Sequence, residues 1–198
     1  AAEGVQGGFS AAYRVLAAFE ESGQARRGYV VEGLGAAQFA MDGAIDRLRA
    51  VHAARERETH FRAAVLAAAD PANAYGAALP WPEPPEGSTH KPGRKAGSVV
   101  VLVDGELTLY MERGGKTLLA WPGAGPAGAS EGGALGADAG TSLTTAAEAL
   151  ARAAQDGALG TVTVERINGT PALSSPVGTL LETTGFHATP RGLRLRAR

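Results

Sequence analysis

Gly115-Lys116-Thr117 has the residue types that close a phosphate-binding loop, in which backbone N–H groups cradle phosphates and the lysine reaches between them. The first glycine of such a loop would fall on Tyr110, inside an alternating apolar segment, so residue and context both fail for nucleotide binding. No Asp-Glu box follows a hydrophobic stretch either, which removes the acidic partner for Mg²⁺. Basic chemistry is better represented. Arg26-Arg27, the group His90, Lys91, Arg94 and Lys95, and the C-terminal Arg191, Arg194, Arg196 and Arg198 form local patches suited to phosphate. With a formal net charge of −1, contact with nucleic acid has to come from such patches rather than from a bulk positive field. Each is also what an ordinary solvated surface looks like. Among the acids, Asp70 stands out because the short apolar run Ala63 to Ala69 stops at Asp70-Pro71, as a buried strand does where it emerges.

Other chemistries are thinly supplied. The chain has no cysteine, which excludes disulfides and thiolate metal sites, and its four histidines, His52, His60, His90 and His187, lack metal-binding spacing. No structural metal is expected. No segment has the length of a membrane span and no signal-peptide pattern opens the sequence, so a cytoplasmic location and no membrane partner are expected. A 44% hydrophobic content over 198 residues is sufficient for a core, but aromatics are only 6%. Alanine and glycine therefore carry much of the apolar count, favouring closely packed small-residue helices over a large aromatic pocket.

The elements that must position these residues are legible in part. Phe9 to Ser22 reads as a helix with Phe9, Tyr13, Leu16 and Ala17 on one face and Gly23 as its stop. Strands Ala25 to Glu32 and Ala36 to Ala40 follow, joined by Gly33-Leu34-Gly35. This order is the second half of a winged helix, with Ser10, Arg14 and Arg26-Arg27 placed for phosphates or grooves, or a packing module of the same shape. Gln38 sits in the second ribbon strand. Asp42 is placed to cap a helix running into Val51 to Ala54, with Ile45, Leu48 and Val51 inward. Arg55-Glu56-Arg57-Glu58 is a solvated run, and the proline-rich stretch to Gly97 reads as an extended linker.

From Ser98 a β-meander is expected: Ser98 to Val103, Glu106 to Glu112 and Lys116 to Trp121, turning at Asp104-Gly105 and Gly114-Gly115. The middle strand's alternation puts Leu107, Leu109 and Met111 on one face, with Glu106, Thr108, Tyr110 and Glu112 on the other, the pattern of a sheet covered on one side. Gly123 to Gly140 is periodless and is expected to form a surface loop. Beyond it come a helix Leu143 to Gln155, a strand Thr161 to Ile167, a turn at Asn168-Gly169 into Pro171 to Ser174, a helix opened by Ser175-Pro176, and a strand Gly192 to Arg196. The fold class expected is α+β, a partial winged helix followed by a meander or barrel-like sheet with helices on one face. Its divisions are 1–54, a linker 55–97 carrying the DPAN segment, and 98–198.

Four stretches carry a family resemblance: Arg26 to Ala40, Asp70 to Pro82, His90 to Trp121 and Gly185 to Arg198. Together they resemble the extreme C-terminal region of the large helicase-related (Lhr) family of bacterial ATP-dependent DNA helicases. The resemblance implies a parent that uses ATP and Mg²⁺ at a motor absent from these residues, so no cofactor is expected here. It also implies DNA, single-stranded or forked, and the rest of the helicase chain as partners, with a homo-oligomer open.

The same family region is similar to AlkZ-type DNA glycosylases, whose Gln-x-Gln or Gln-x-Asp catalytic element would fall on Ala68-Ala69-Asp70, so its first glutamine is missing. This resemblance makes Asp70 a candidate carboxylate for stabilising an oxocarbenium-like sugar, Asn73 and Tyr75 candidates for orienting water or base, and Trp81 a candidate stacking residue. Asp70 and Asn73 before and after proline are equally turn formers. Three readings follow: a nucleic-acid-binding or scaffolding accessory region, a glycosylase site, or an oligomerisation module.

Overall fold

A computed structural model describes residues 8–31, 35, 38–57, 60–122 and 137–197. The expected wing tip at Gly33-Leu34, most of Gly123 to Gly140, and Arg198 lie outside the described residues. The chain divides into two compact units, Ala1–Thr59 and His60–Arg198.

In the first unit, helix α1 (Gly8–Glu21) leads through Gly23, at φ 76°, into a two-stranded antiparallel ribbon of β1 (Ala25–Gly28) and β2 (Gln38–Met41), followed by α2 (Ala44–Arg57). The first strand ends at Gly28, short of the expected Glu32, and the backbone amides of Val30 and Val31 donate to the Gln38 side chain instead of to a ladder; Ala36 and Ala37 of the expected second strand lie outside the described residues. Buried apolar residues are few here. Phe9 is 69% exposed, and Ile45, Leu48 and Val51, expected to face inward, are exposed within the described residues.

The second unit is built on an open six-stranded sheet in the order β3-β4-β5-β6-β8-β9. Its strands are β3 (Ala63–Ala67), β4 (Val99–Val103), β5 (Glu106–Met111), β6 (Thr117–Ala120), β8 (Arg166–Ile167) and β9 (Thr170–Pro171). A three-stranded sheet, β10-β11-β7, combines β10 (His187–Thr189), β11 (Gly192–Leu195) and β7 (Val162–Val164). The Asp104-Gly105 turn has φ 50° and 90°, the two positive values that a tight hairpin of this type requires. Both sheets are open among the described residues, so the barrel-like expectation resolves into two sheets sharing one core.

Four local expectations are corrected. Residues 63–67 are not linker: β3 pairs along its whole length with β4, from Ala63↔Val103 to Ala67↔Val99. The single strand expected over Thr161 to Ile167 is divided between the two sheets, because Glu165 turns aside and its amide donates to the Lys116 carbonyl at 2.8 Å. Pro171 to Ser174 is strand only at its start and then a 3-10 turn. Helix α3 (Ala137–Gln155) starts earlier than expected, and Leu143, Ala147, Leu150 and Ala154 lie on its buried side as the spacing predicts.

The expected one-sided sheet is also corrected, and the reason lies in β5. Register slips between Val101 and Leu102, whose partners are Leu109 and Leu107, so Thr108 is an extra residue. Leu109 and Met111 then face a core with Val99, Val101, Leu118, Leu143, Leu150, Leu181 and Leu193. Leu107 turns to the opposite face with Val100, Tyr110 and Leu119, where Tyr75, Trp81 and Trp121 pack. Helices α3 and α4 (Pro176–Thr183) take the first face. The segment 68–97 contributes the covering residues of the second, so it is packed chain rather than a free linker.

Candidate functional site

Asp70 leaves the sheet two residues after Ala68, which is fully buried and hydrogen-bonded to the Ser98 carbonyl. Its carboxylate Oδ1 accepts the Ala72 amide at 2.8 Å, an Asx turn that Pro71 favours. Among the described residues no hydrogen bond reaches Oδ2. Asp70 is half-buried.

Asn73 takes a different part from the one expected. It is fully buried; its amide nitrogen donates to the carbonyls of Ala68 at 2.8 Å and Tyr75 at 3.4 Å, and its oxygen accepts the Tyr75 amide at 3.1 Å. With donor and acceptor both committed to backbone, it shapes the loop and has no free group for water or substrate.

Arg94, expected in a basic patch, is engaged by the protein's own backbone. Nη1 donates to the carbonyls of Asn73 at 2.6 Å and Tyr75 at 3.3 Å, while Nη2 donates to those of Ala69 and Asp70, both at 3.1 Å. A planar guanidinium can span several carbonyls that an ammonium could not reach together. It therefore clamps the Asp70 loop, with both terminal nitrogens engaged by its backbone. Nothing near Arg94 in the sequence signals this contact, because tertiary structure brings the loop carbonyls to it.

The aromatic residues close over the same loop. Tyr75 and Trp81 stack with ring centroids 6.2 Å apart, and Trp81 meets the edge of Tyr110 at 5.8 Å. Gly76, at φ 73°, lies under the indole, where a Cβ would overlap Trp81. Trp81 thus stacks on protein rather than standing ready for a base. The Tyr75 hydroxyl accepts the Leu107 amide at 3.2 Å and lies 3.3 Å from Glu106 Oε2. Burial raises the Tyr75 pKa above its ordinary value; the Leu107 amide opposes this, and the Glu106 charge and hydrogen bond reinforce it.

The remaining basic candidates separate into paired and open groups. Arg27 pairs with Glu20 at 2.7 Å and stands over the Tyr13 and Phe39 rings at 5.3 and 5.1 Å, so it braces α1 against the ribbon. Lys95 and His90 both approach Glu112, at 3.3 and 3.4 Å, so one carboxylate faces the expected His90 to Lys95 patch. Lys116 lies 3.5 Å from Glu165, at the end of a hairpin. Gln38 bridges the ribbon, accepting from Val30 and Val31 and donating to the carbonyls of Val31 and Gly35. Arg14, Arg26, Lys91, Arg194 and Arg196 are exposed.

A groove of about 480 Å³ runs beside β3, lined by Val65, Leu66, Val99, Met111, Leu159 and Val162 among others. Its lining includes neither Asp70 nor any other candidate. Among the described residues no group of acidic and histidine side chains could hold a metal ion, and no helix is long and apolar enough to cross a membrane.

Residues 1–60 match the family described as the large helicase-related protein, winged-helix domain. Over 203 residues the chain is 45% identical to the "Lhr helicase/ probable uracil glycosylase" of Mycolicibacterium smegmatis, a match covering 98% of this chain. The chain belongs to the Lhr family, in its C-terminal region. The "Lhr helicase/uracil glycosylase" of Escherichia coli K12 is 37% identical over 192 residues, covering 97% of this chain. The matched regions span only 12% and 11% of these two Lhr proteins. The helix and ribbon of the first unit are accordingly winged-helix elements, as their order in the sequence suggested.

Proposed function

We propose that this chain is the DNA-contacting accessory region of an Lhr-type helicase, holding nucleic acid for a motor elsewhere in the polypeptide where ATP and Mg²⁺ act. The observation that carries the reading is the winged-helix match over residues 1–60, with Arg14 on α1 and Arg26 on the ribbon both exposed. Helix and ribbon are the parts of such modules that enter grooves or follow phosphates. Titration of labelled single-stranded, forked and duplex DNA with the chain at several salt concentrations tests it. Binding that weakens linearly in log–log form with salt is the expected result. Salt-independent binding, or none, overturns it.

A second reading, uracil removal, is favoured by the names of both relatives and by the half-buried Asp70 carboxylate on a clamped loop. An ionised carboxylate beside the sugar stabilises positive charge at C1′ as the C1′–N bond breaks and the base leaves with the bonding electrons. Water then adds at C1′, giving its proton to the carboxylate. No metal enters this scheme. Uracil release from single-stranded DNA, measured with a stoichiometric excess of chain, tests it directly; absence of release overturns it.

A further inference from the structure

The three-stranded sheet turns one face to the core and one to solvent, and the two differ sharply in chemistry. Cross-strand register puts Ala188, Leu193 and Val164 in one row, with Leu193 and Val164 buried, while Leu195 lies opposite Val162. Directly opposed residues share a face, so the intervening row, His187, Arg194 and Thr163, points outward. Arg196 follows directly after the last residue of β11, Leu195, and is exposed, as Arg194 is. Arg191 sits at the hairpin tip, where the Thr189 hydroxyl closes the turn by donating to the Gly192 carbonyl at 2.8 Å and accepting the Arg191 amide at 3.3 Å.

Gly192 lets this hairpin lie tightly on the neighbouring strand, since a Cβ there would overlap the Val164 carbonyl and crowd Glu165. Glu165 is the carboxylate adjoining this face, and it is paired with Lys116. Among the described residues no carboxylate pairs with Arg191, Arg194, Arg196 or His187. Elsewhere Arg27, Arg94, Lys95 and Lys116 are each engaged by the protein itself. In a chain of net charge −1, this face thus gathers three arginines, Arg191, Arg194 and Arg196, that no carboxylate engages among the described residues.

We propose that the outward face of β10-β11-β7 is a track for the phosphate backbone of a nucleic-acid strand, with Arg194 and Arg196 contacting successive phosphates and Thr163 donating a hydroxyl. The proposal rests on the DNA-contacting reading above and locates that contact in the second unit. Guanidinium forks match phosphate oxygens in pairs and are weakly hydrated, which favours arginine over lysine for this task. The outward row holds no Phe, Tyr or Trp, and contacts to phosphate carry no sequence information, so its contribution is sequence-independent.

The test is binding of the 198-residue chain to fluorescent oligothymidylate and to a mixed-sequence strand across a salt series, comparing wild type with Arg194→Gln/Arg196→Gln and, as a control of equal charge change, Arg113→Gln/Arg152→Gln, both exposed and outside the track. Removing two phosphate contacts to a single strand lowers the slope of log K against log salt by about 1.4 and weakens binding on the order of tenfold, equally for both sequences. The substituted side chains are exposed, so thermal unfolding is unchanged. An unchanged slope in the arginine variant while wild type binds overturns the track alone. A wild-type chain that binds no DNA overturns the track and the DNA-contacting reading together. Equally tight, arginine-dependent binding of poly-glutamate overturns the nucleic-acid assignment in favour of an acidic protein surface.

Discussion

Arg94 Nη1 lies 2.6 Å from the carbonyl oxygen of Asn73, and the same guanidinium reaches the carbonyls of Ala69, Asp70 and Tyr75. These carbonyls bracket Asp70, so the charge nearest the loop serves its backbone and leaves the carboxylate unpaired by arginine. Arg94→Lys keeps the charge but removes the fork, and is expected to cost about 2–3 kcal/mol, because hydrogen bonds to charged groups are worth more than neutral ones. Urea denaturation measures the loss, and amide exchange at Asp70 and Asn73 locates it. A stability equal to wild type, with weakened DNA binding instead, would return Arg94 to the nucleic-acid surface.

Tyr75 gives a pH-dependent prediction. Its pKa is raised in the folded chain, chiefly by burial, so the folded state favours the neutral phenol over the phenolate relative to the unfolded chain. The associated stability is complete below the ordinary tyrosine pKa of about 10 and is lost as pH rises through the higher folded value. Wild type should therefore lose stability more steeply than Tyr75→Phe above about pH 10. At neutral pH the Phe variant should be about 1 kcal/mol less stable, having left the Leu107 amide without its acceptor. Denaturant midpoints measured from pH 7 to 11 compare the two; parallel curves would show that the phenol is not the group responsible.

Periodicity and turn chemistry made much of this structure legible. Asp104-Gly105 and Asn168-Gly169 adopt positive φ as the residue pairs require, and the Leu143, Ala147, Leu150, Ala154 spacing marks the buried side of α3. The site was less legible because its determinants are non-local. Asp70 could be singled out from the abrupt end of an apolar run, but nothing near Arg94 in sequence says that four carbonyls some twenty residues upstream will fold against it. The extra residue at Thr108 reverses Leu107, and Trp81 finds Tyr110 across a proline-rich stretch. A period-two reading of β5 has no means of seeing the bulge.

Gly178 offers a packing test remote from the charged groups. A Cβ at this position in α4 would overlap the Ala172 carbonyl and come within 3.3 Å of Leu193 Cδ1, so the helix lies against the 3-10 turn through backbone. Gly178→Ala raises helix propensity, but overpacking is expected to win, with a net loss of about 2 kcal/mol. Thermal unfolding decides between the two effects. A higher Tm would mean that the helix and the turn separate readily.

The last prediction separates turn from chemistry at Asp70. Oδ1 holds the Ala72 amide at 2.8 Å, and a neutral amide in its place can still accept that bond, so Asp70→Asn should fold with near-wild-type stability. Asp70→Ala loses the acceptor and is expected to cost about 1 kcal/mol, as the loss of a capping side chain typically does. If the carboxylate stabilises a developing sugar cation, both variants lose uracil release by orders of magnitude, because the amide restores the turn but not the charge. If it serves only the turn, release follows stability and the Asn variant retains it. Wild-type and variant chains are therefore compared in two assays, base release from uracil-containing single-stranded DNA and denaturant unfolding. Full activity in a stable Asp70→Asn chain would remove the carboxylate from the reaction, while a stable but inactive one would place the negative charge itself beside the departing base.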